Sequence, residues 1–125
     1  MAYDDGIYDQ VRAGSNLLVV QTSNAMFIKT AQIEQQFAIS RVRALETRKY
    51  VVVAATNGVS GVIDDRGEVQ ERAEVRSQQA IVREVPLLPG KTLGVLLGPL
   101  IGWASILLTC FGLTLGAIRY RRSRE

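Results

Sequence analysis

Tyr50-Val51-Val52-Val53-Ala54-Ala55-Thr56-Asn57-Gly58 is a run of β-branched and small apolar residues that closes in a turn signal. Its six leading residues carry no polar alternation, so it reads as a strand buried on both faces. Thr56-Asn57-Gly58 suits backbone with positive φ and ends it. Upstream, Thr30 to Arg48 is helical in pattern: Ala31, Ala38, Val42 and Leu45 fall within about 60° on a wheel, and Ile33, Phe37 and Ala44 form a second seam nearly opposite. Arg43 and Glu46 fill one gap between the seams, and Glu34, Arg41 and Arg48 the other. A helix with two seams is expected to pack between a sheet and something else. Further upstream, Leu17 to Gln21 reads as another buried strand, followed by the polar turn Thr22-Ser23-Asn24. Downstream come a third strand, Val59 to Ile63, a hairpin turn at Asp64-Asp65-Arg66-Gly67 and its return through Glu68-Val69-Gln70. Ala80 to Val85 is a further strand candidate. The order predicts an α/β fold, a layer that turns antiparallel at its edge.

From Thr92 to Ile118 the chain runs 27 residues without a charge, and Arg119, Arg121, Arg122 and Arg124 follow. About 20 apolar residues suffice to cross about 30 Å of hydrocarbon, so a transmembrane helix is expected here. Gly98-Pro99 suggests its start, because proline at the first helical position loses no hydrogen bond; the expected helix is 99–118. Trp103 and Tyr120 would sit at headgroup level. Gly94, Gly98 and Gly102, then Gly112 and Gly116, are spaced to let two helices approach closely in lipid. Arginine-rich flanks favour the cytoplasmic side, so the tail 119–125 is expected inside and residues 1–91 outside. Met1-Ala2-Tyr3-Asp4-Asp5-Gly6 offers no signal sequence, which leaves two readings: a tail-anchored cytoplasmic protein, or a chain whose earlier membrane helices are missing. The second is preferred.

The 15 basic and 12 acidic residues suggest a basic protein, but the tail holds four of the arginines and one glutamate. Residues 1–91 are therefore neutral, and nucleic-acid binding is excluded as an expectation. With no histidine, a His-based triad or His-ligated metal site is excluded too. The lone cysteine, Cys110, lies mid-span, where a thiol behaves as a small hydrophobe.

The stretch Ser40 to Gly67 contains a helix end Arg43-Ala44-Leu45-Glu46, a hydrophobic strand closing in Thr56-Asn57-Gly58, and a short hairpin ending Asp64-Asp65-Arg66-Gly67. It resembles the carbon-nitrogen hydrolase (nitrilase-like) domain of bacterial apolipoprotein N-acyltransferases. Gly14 to Phe27 resembles that family's strand and aromatic-bearing loop, and one membrane helix with a basic tail follows in the family as it does here. The resemblance implies part of an α-β-β-α sandwich: residues 1–85 the C-terminal part of the hydrolase-like domain, 86–91 a linker, 92–118 the transmembrane segment, and 119–125 a cytoplasmic tail at the bacterial cell membrane. It implies a ping-pong transfer of a phospholipid acyl chain to the N-terminal diacylglyceryl-cysteine of a lipoprotein. A cysteine thiolate holds the acyl group, a glutamate is the general base, and a lysine stabilises the oxyanion. Phospholipid and lipoprotein are thus the implied partners, with no cofactor and no metal.

The family's Cys-aromatic-Glu motif lies just before the segment that begins here at Ala2, and its glutamate and lysine lie further upstream. None of the three matches a residue of this chain, so no catalytic residue is assigned and the chain alone is expected to be inactive. Glu34, Glu46 and Glu68 are candidate bases and Lys29, Lys49 and Lys91 candidate cations, but no thiol is available for them to activate. Glu46 is expected to pair with a nearby arginine. Asn24, Phe27 and Asn57, at or near strand ends, are the candidate substrate-binding residues, since ligands collect at the carboxyl ends of strands in α/β sheets. The alternatives are a non-catalytic membrane-anchored interaction protein and one half of a split enzyme that pairs with the missing N-terminal part.

Overall fold

A computed structural model describes the backbone of residues 4–26, 30–75 and 77–122, and the side chains of these except 4–5, 99, 101 and 115–122. The chain divides into two units, Met1–Val95 and Leu96–Glu125.

The first unit is α/β. Helix α1 (Asp4–Arg12) leads into β1 (Leu17–Thr22), α2 (Gln32–Thr47), β2 (Tyr50–Ala55), β3 (Gly61–Ile63) and β4 (Val69–Arg72). The four strands lie in chain order; β1 and β2 are parallel, and β2–β3 and β3–β4 are antiparallel. This is the layer that the sequence predicts, with a mixed sheet. Leu18 pairs with Val51 and Val20 with Val53, so these four side chains share one face. They pack with Val11 of α1, with Ile33, Phe37 and Ala44 of α2, and with Val59, Ile63 and Val95 in a single core. Of the two seams on α2, the one through Phe37 is the buried one. Val42 and Leu45 on the other are half exposed, beside Arg66 and Gly67 of the hairpin turn.

Helix α2 ends at Arg48, a non-glycine residue in the left-handed region (φ 53°) whose N–H bonds to the Ala44 carbonyl. The β3–β4 hairpin turns on Asp64, whose Oδ1 accepts the N–H of Arg66 and of Glu68, both at 2.9 Å, while Oδ2 accepts the Gln70 amide at 2.7 Å. Gly67 closes it at φ 78°, and a Cβ there would lie 3.0 Å from the Arg41 carbonyl.

Three expectations need correction. Residues 80–85 form no strand: Arg83 ties the segment to Gln70 through its side chain, at 3.2 Å to Oε1 and 3.3 Å to the carbonyl. Helix α1 is absent from the sequence reading, because Gly6 interrupts a short pattern whose apolar residues are only Ile7, Tyr8 and Val11.

The third is the start of α3, which spans Leu93–Arg122 and begins six residues before Pro99. Thr92 sits at the N-cap: its Oγ1 accepts the Val95 N–H at 3.3 Å and donates to the Glu46 carbonyl at 2.7 Å. Proline inside a helix normally orphans the carbonyl four residues back. Here that carbonyl is Val95's, and it accepts the Arg12 guanidinium at 3.0 Å from Nε and 2.5 Å from Nη2.

In the second unit, Leu100, Trp103, Ile106, Leu107, Leu108, Phe111 and Leu113 are all exposed. Among the described residues no helix is long and apolar enough to cross a membrane. The longest unbroken stretch of α3 with described side chains between Pro99 and its end is 102–114.

Candidate functional site

The first unit opens at the carboxyl ends of its two parallel strands. There, β1 runs into Thr22-Ser23-Asn24 and β2 into Thr56-Asn57-Gly58, and a shallow cleft of about 550 Å³ lies between them. Gln21, Thr22 and Ser23 line one side, and Ala54, Ala55, Thr56 and Ser60 the other. This is where an α/β sheet gathers ligands.

Two devices shape this end of the sheet. The Ser60 hydroxyl accepts the Ala55 N–H at 3.0 Å and donates to the Ala55 carbonyl at 3.3 Å, so a side chain takes the place of the next rung between β2 and β3. The chain is thereby released to form the 56–59 loop. Thr22 ties the two strand ends to each other and to α2: its carbonyl accepts the Thr56 N–H at 3.0 Å, and its hydroxyl accepts the Gln36 amide at 2.6 Å.

Asn24 is almost wholly enclosed, with 3% of its surface exposed. A Cβ built on Gly58 would lie 2.3 Å from Asn24 Nδ2, so the amide occupies the space that only a glycine leaves. Asn24 therefore braces the two loops against each other from behind, and it is not among the residues lining the cleft. Asn57 is half-buried and does not line it either. Phe27 lies outside the described residues. Of the strand-end residues, it is the hydroxyls of Thr22, Ser23, Thr56 and Ser60 and the Gln21 amide that form the surface. Sequence reasoning passes over most of these because threonine and serine at strand ends are read as turn formers.

Among the described residues the cleft lining bears no carboxylate, amine or thiol. Of the charged candidates, Glu34, Glu46 and Lys49 lie elsewhere and are engaged, and Lys29 lies outside the described residues. Glu46 pairs with Arg43 at 2.7 Å, as expected, and Glu34 with Arg72 at 2.6 Å. Lys49 is buried at the opposite, amino-terminal end of β2, where its ammonium donates to the Leu88 and Gly90 carbonyls. Burial lowers the Lys49 pKa below the ordinary lysine value. Burial opposes the charge on Asp64 as well, but the Glu68 and Arg66 N–H groups, the Gln70 amide and the Arg66 charge outweigh it and hold the carboxyl below the usual range. Among the described residues no cluster of acids and cysteine could hold a metal ion. The arrangement can receive a polar, uncharged group, and by itself it can activate none.

The chain is 37% identical over 92% of its length to an apolipoprotein N-acyltransferase of Gloeobacter violaceus, covering 22% of that protein. It is 32% identical over 77% of its length to one of Geobacter metallireducens, covering 18%. To one of Shewanella oneidensis it is 27% identical over 99% of its length, covering 23%. The chain thus spans about a fifth of the length of the relatives it matches. No family model matches it.

Proposed function

From the premise that this chain is homologous to a segment of the apolipoprotein N-acyltransferases, we propose that it supplies one wall of the acyl-transfer site and a membrane anchor. The reactive cysteine, glutamate and lysine come from the portion it does not contain. The observation that carries this reading is the cleft at the ends of β1 and β2, placed where α/β sheets bind ligands yet lined, among the described residues, only by hydroxyls, an amide and methyls. Such a wall orients a substrate and donates hydrogen bonds to it. It generates no nucleophile, because among the described residues no general base lines the cleft beside Ser23 or the other hydroxyls there. Alone, the chain is inactive.

The anchor is α3. Thirty residues rise about 45 Å, against about 30 Å of hydrocarbon. Its large apolar side chains are exposed, a surface that lipid or other membrane helices would cover. The basic tail then lies in the cytoplasm and the first unit on the outer side of the bacterial membrane, facing phospholipid and lipoprotein substrates.

A chimera tests the proposal. Replacing the matched segment of the Gloeobacter violaceus relative with this chain should preserve transfer of a labelled acyl group to a diacylated lipopeptide. A chimera that inserts in membranes, keeps its cysteine reactive and transfers nothing would refute it.

A further inference from the structure

The hydroxyls of the cleft differ in what they can offer a ligand. A hydroxyl donates once and accepts twice. Ser60 gives its proton to the Ala55 carbonyl at 3.3 Å and accepts the Ala55 N–H at 3.0 Å, so only a lone pair remains for the cleft. Ser23 and Thr56 are exposed, and water turns such groups either way.

Thr22 is different. It is half-buried, and the side-chain amide of Gln36 on α2 donates to its Oγ1 at 2.6 Å. That bond fills an acceptor site and leaves the Thr22 proton for another partner; among the described residues none takes it. Thr22 lines the cleft and Gln36 does not, so Gln36 acts on the cleft through Thr22. An amide N–H aimed at the oxygen also polarises the hydroxyl and strengthens it as a donor.

The lining limits what this donor can meet. Among the described residues it bears no charge. An ionised phosphate or ammonium would shed water there without a counter-charge, which is costly, whereas an ester carbonyl needs only a donor.

We propose that Gln36 is a positioning residue that commits the Thr22 hydroxyl to donate into the cleft, and that the group received there is an uncharged ester carbonyl of a substrate. The inference rests on the proposed function and deepens it. Phospholipid and diacylated lipopeptide both carry such esters, so the shared chemistry is the ester and the kinetics identify its source.

The test has two arms. In the first, the Gloeobacter violaceus chimera carrying this chain is assayed with each substrate varied in turn. Thr22→Val removes the hydroxyl at nearly constant shape and should raise a KM about tenfold, the worth of one hydrogen bond, with little change in kcat. Thr22→Ser should restore most of that loss. The substrate whose KM moves supplies the ester, and both move if the two occupy the cleft in turn. Glutamate can only accept, so Gln36→Glu turns the Thr22 proton away from the cleft and should raise the same KM about as much. Gln36→Met frees the hydroxyl to rotate and should raise it about twofold. A residue that only tied α2 to β1 would give the reverse order, because glutamate keeps the tie and methionine loses it. In a Thr22→Val background Gln36→Glu should add nothing. The reverse order, an unmoved KM in Thr22→Val or Gln36→Glu, or an added rise in the double variant, which would assign the effect to charge, overturns the proposal.

In the second arm the chain itself, in lipid nanodiscs, is titrated with triacetin, an uncharged ester with neither phosphate nor ammonium. The NMR signals of the Gln36 side-chain amide should shift saturably in the parent and stay in place in Thr22→Val. No saturable shift in the parent, or an equal shift in the variant, overturns the proposal. This arm needs no turnover, so an inactive chimera with the shifts intact counts against the proposed function alone.

Discussion

Arg12 donates two hydrogen bonds to the carbonyl of Val95, the carbonyl that Pro99 leaves without a helical partner. The pair sets a residue of the first helix against a defect in the third, 83 positions on. Hydrogen bonds from a charged donor contribute about 1.5–3 kcal/mol, and an orphaned carbonyl costs a similar amount. Arg12→Ala should therefore destabilise the chain by about 2 kcal/mol in detergent. In a Pro99→Ala background the new alanine supplies the missing N–H, and the same Arg12 substitution should cost about 1 kcal/mol less. A double-mutant cycle by urea unfolding measures the difference.

Lys49 predicts a pH dependence on the alkaline side. Burial lowers its folded pKa, so between that value and about 10.4 the unfolded chain binds the proton more readily than the folded one. Stability must rise with pH through that window. Lys49→Met should remove this rise and cost about 2 kcal/mol at neutral pH, because the Leu88 and Gly90 carbonyls lose their donor. Unfolding midpoints measured from about pH 7 to 10.5 on both proteins decide it.

Asp64 predicts the opposite limb. Its folded pKa is depressed, so its contribution is complete above about pH 4 and is lost as pH falls through the folded value. Asp64→Asn keeps a carbonyl oxygen for the Arg66 and Glu68 N–H groups but removes the charge. The variant should be about 1–2 kcal/mol less stable at neutral pH and should converge on the parent in acid, as urea unfolding at both pH values would show.

Gly58→Ala tests the brace behind the cleft. The new Cβ would fall on Asn24 Nδ2 and 3.1 Å from the Ala55 Cβ, so the loops must separate, at about 1–3 kcal/mol. Asn24→Ala in the same chain should recover part of that loss. Hydrogen exchange at residues 22–26 and 56–60 should accelerate in the single variant and slow again in the double.

These residues also mark what could be read beforehand. Strand β2, the hairpin and the core seam of α2 are legible because β-branched runs, turn residues and helical spacing are local signals. The pairing of Glu46 with Arg43 is legible for the same reason, three residues apart on one helix. Asn24 is legible as a strand-end residue, but its bracing contact depends on the approach of Gly58, which is remote in sequence. The start of α3 is misread because Thr92 and Arg12 together make Pro99 tolerable inside the helix, and no local pattern announces a donor from α1. The cleft's hydroxyls are hidden among ordinary turn residues.

The central claim is that this chain holds one wall of an acyl-transfer site and none of its reactive groups. The most direct measurement is transfer of a labelled acyl chain from phospholipid to a diacylated lipopeptide, by the purified chain in lipid nanodiscs with and without the remainder of the Gloeobacter violaceus relative. The account predicts no turnover above the protein-free rate by the chain alone, and turnover when both are present. Sustained turnover by the chain alone would contradict it.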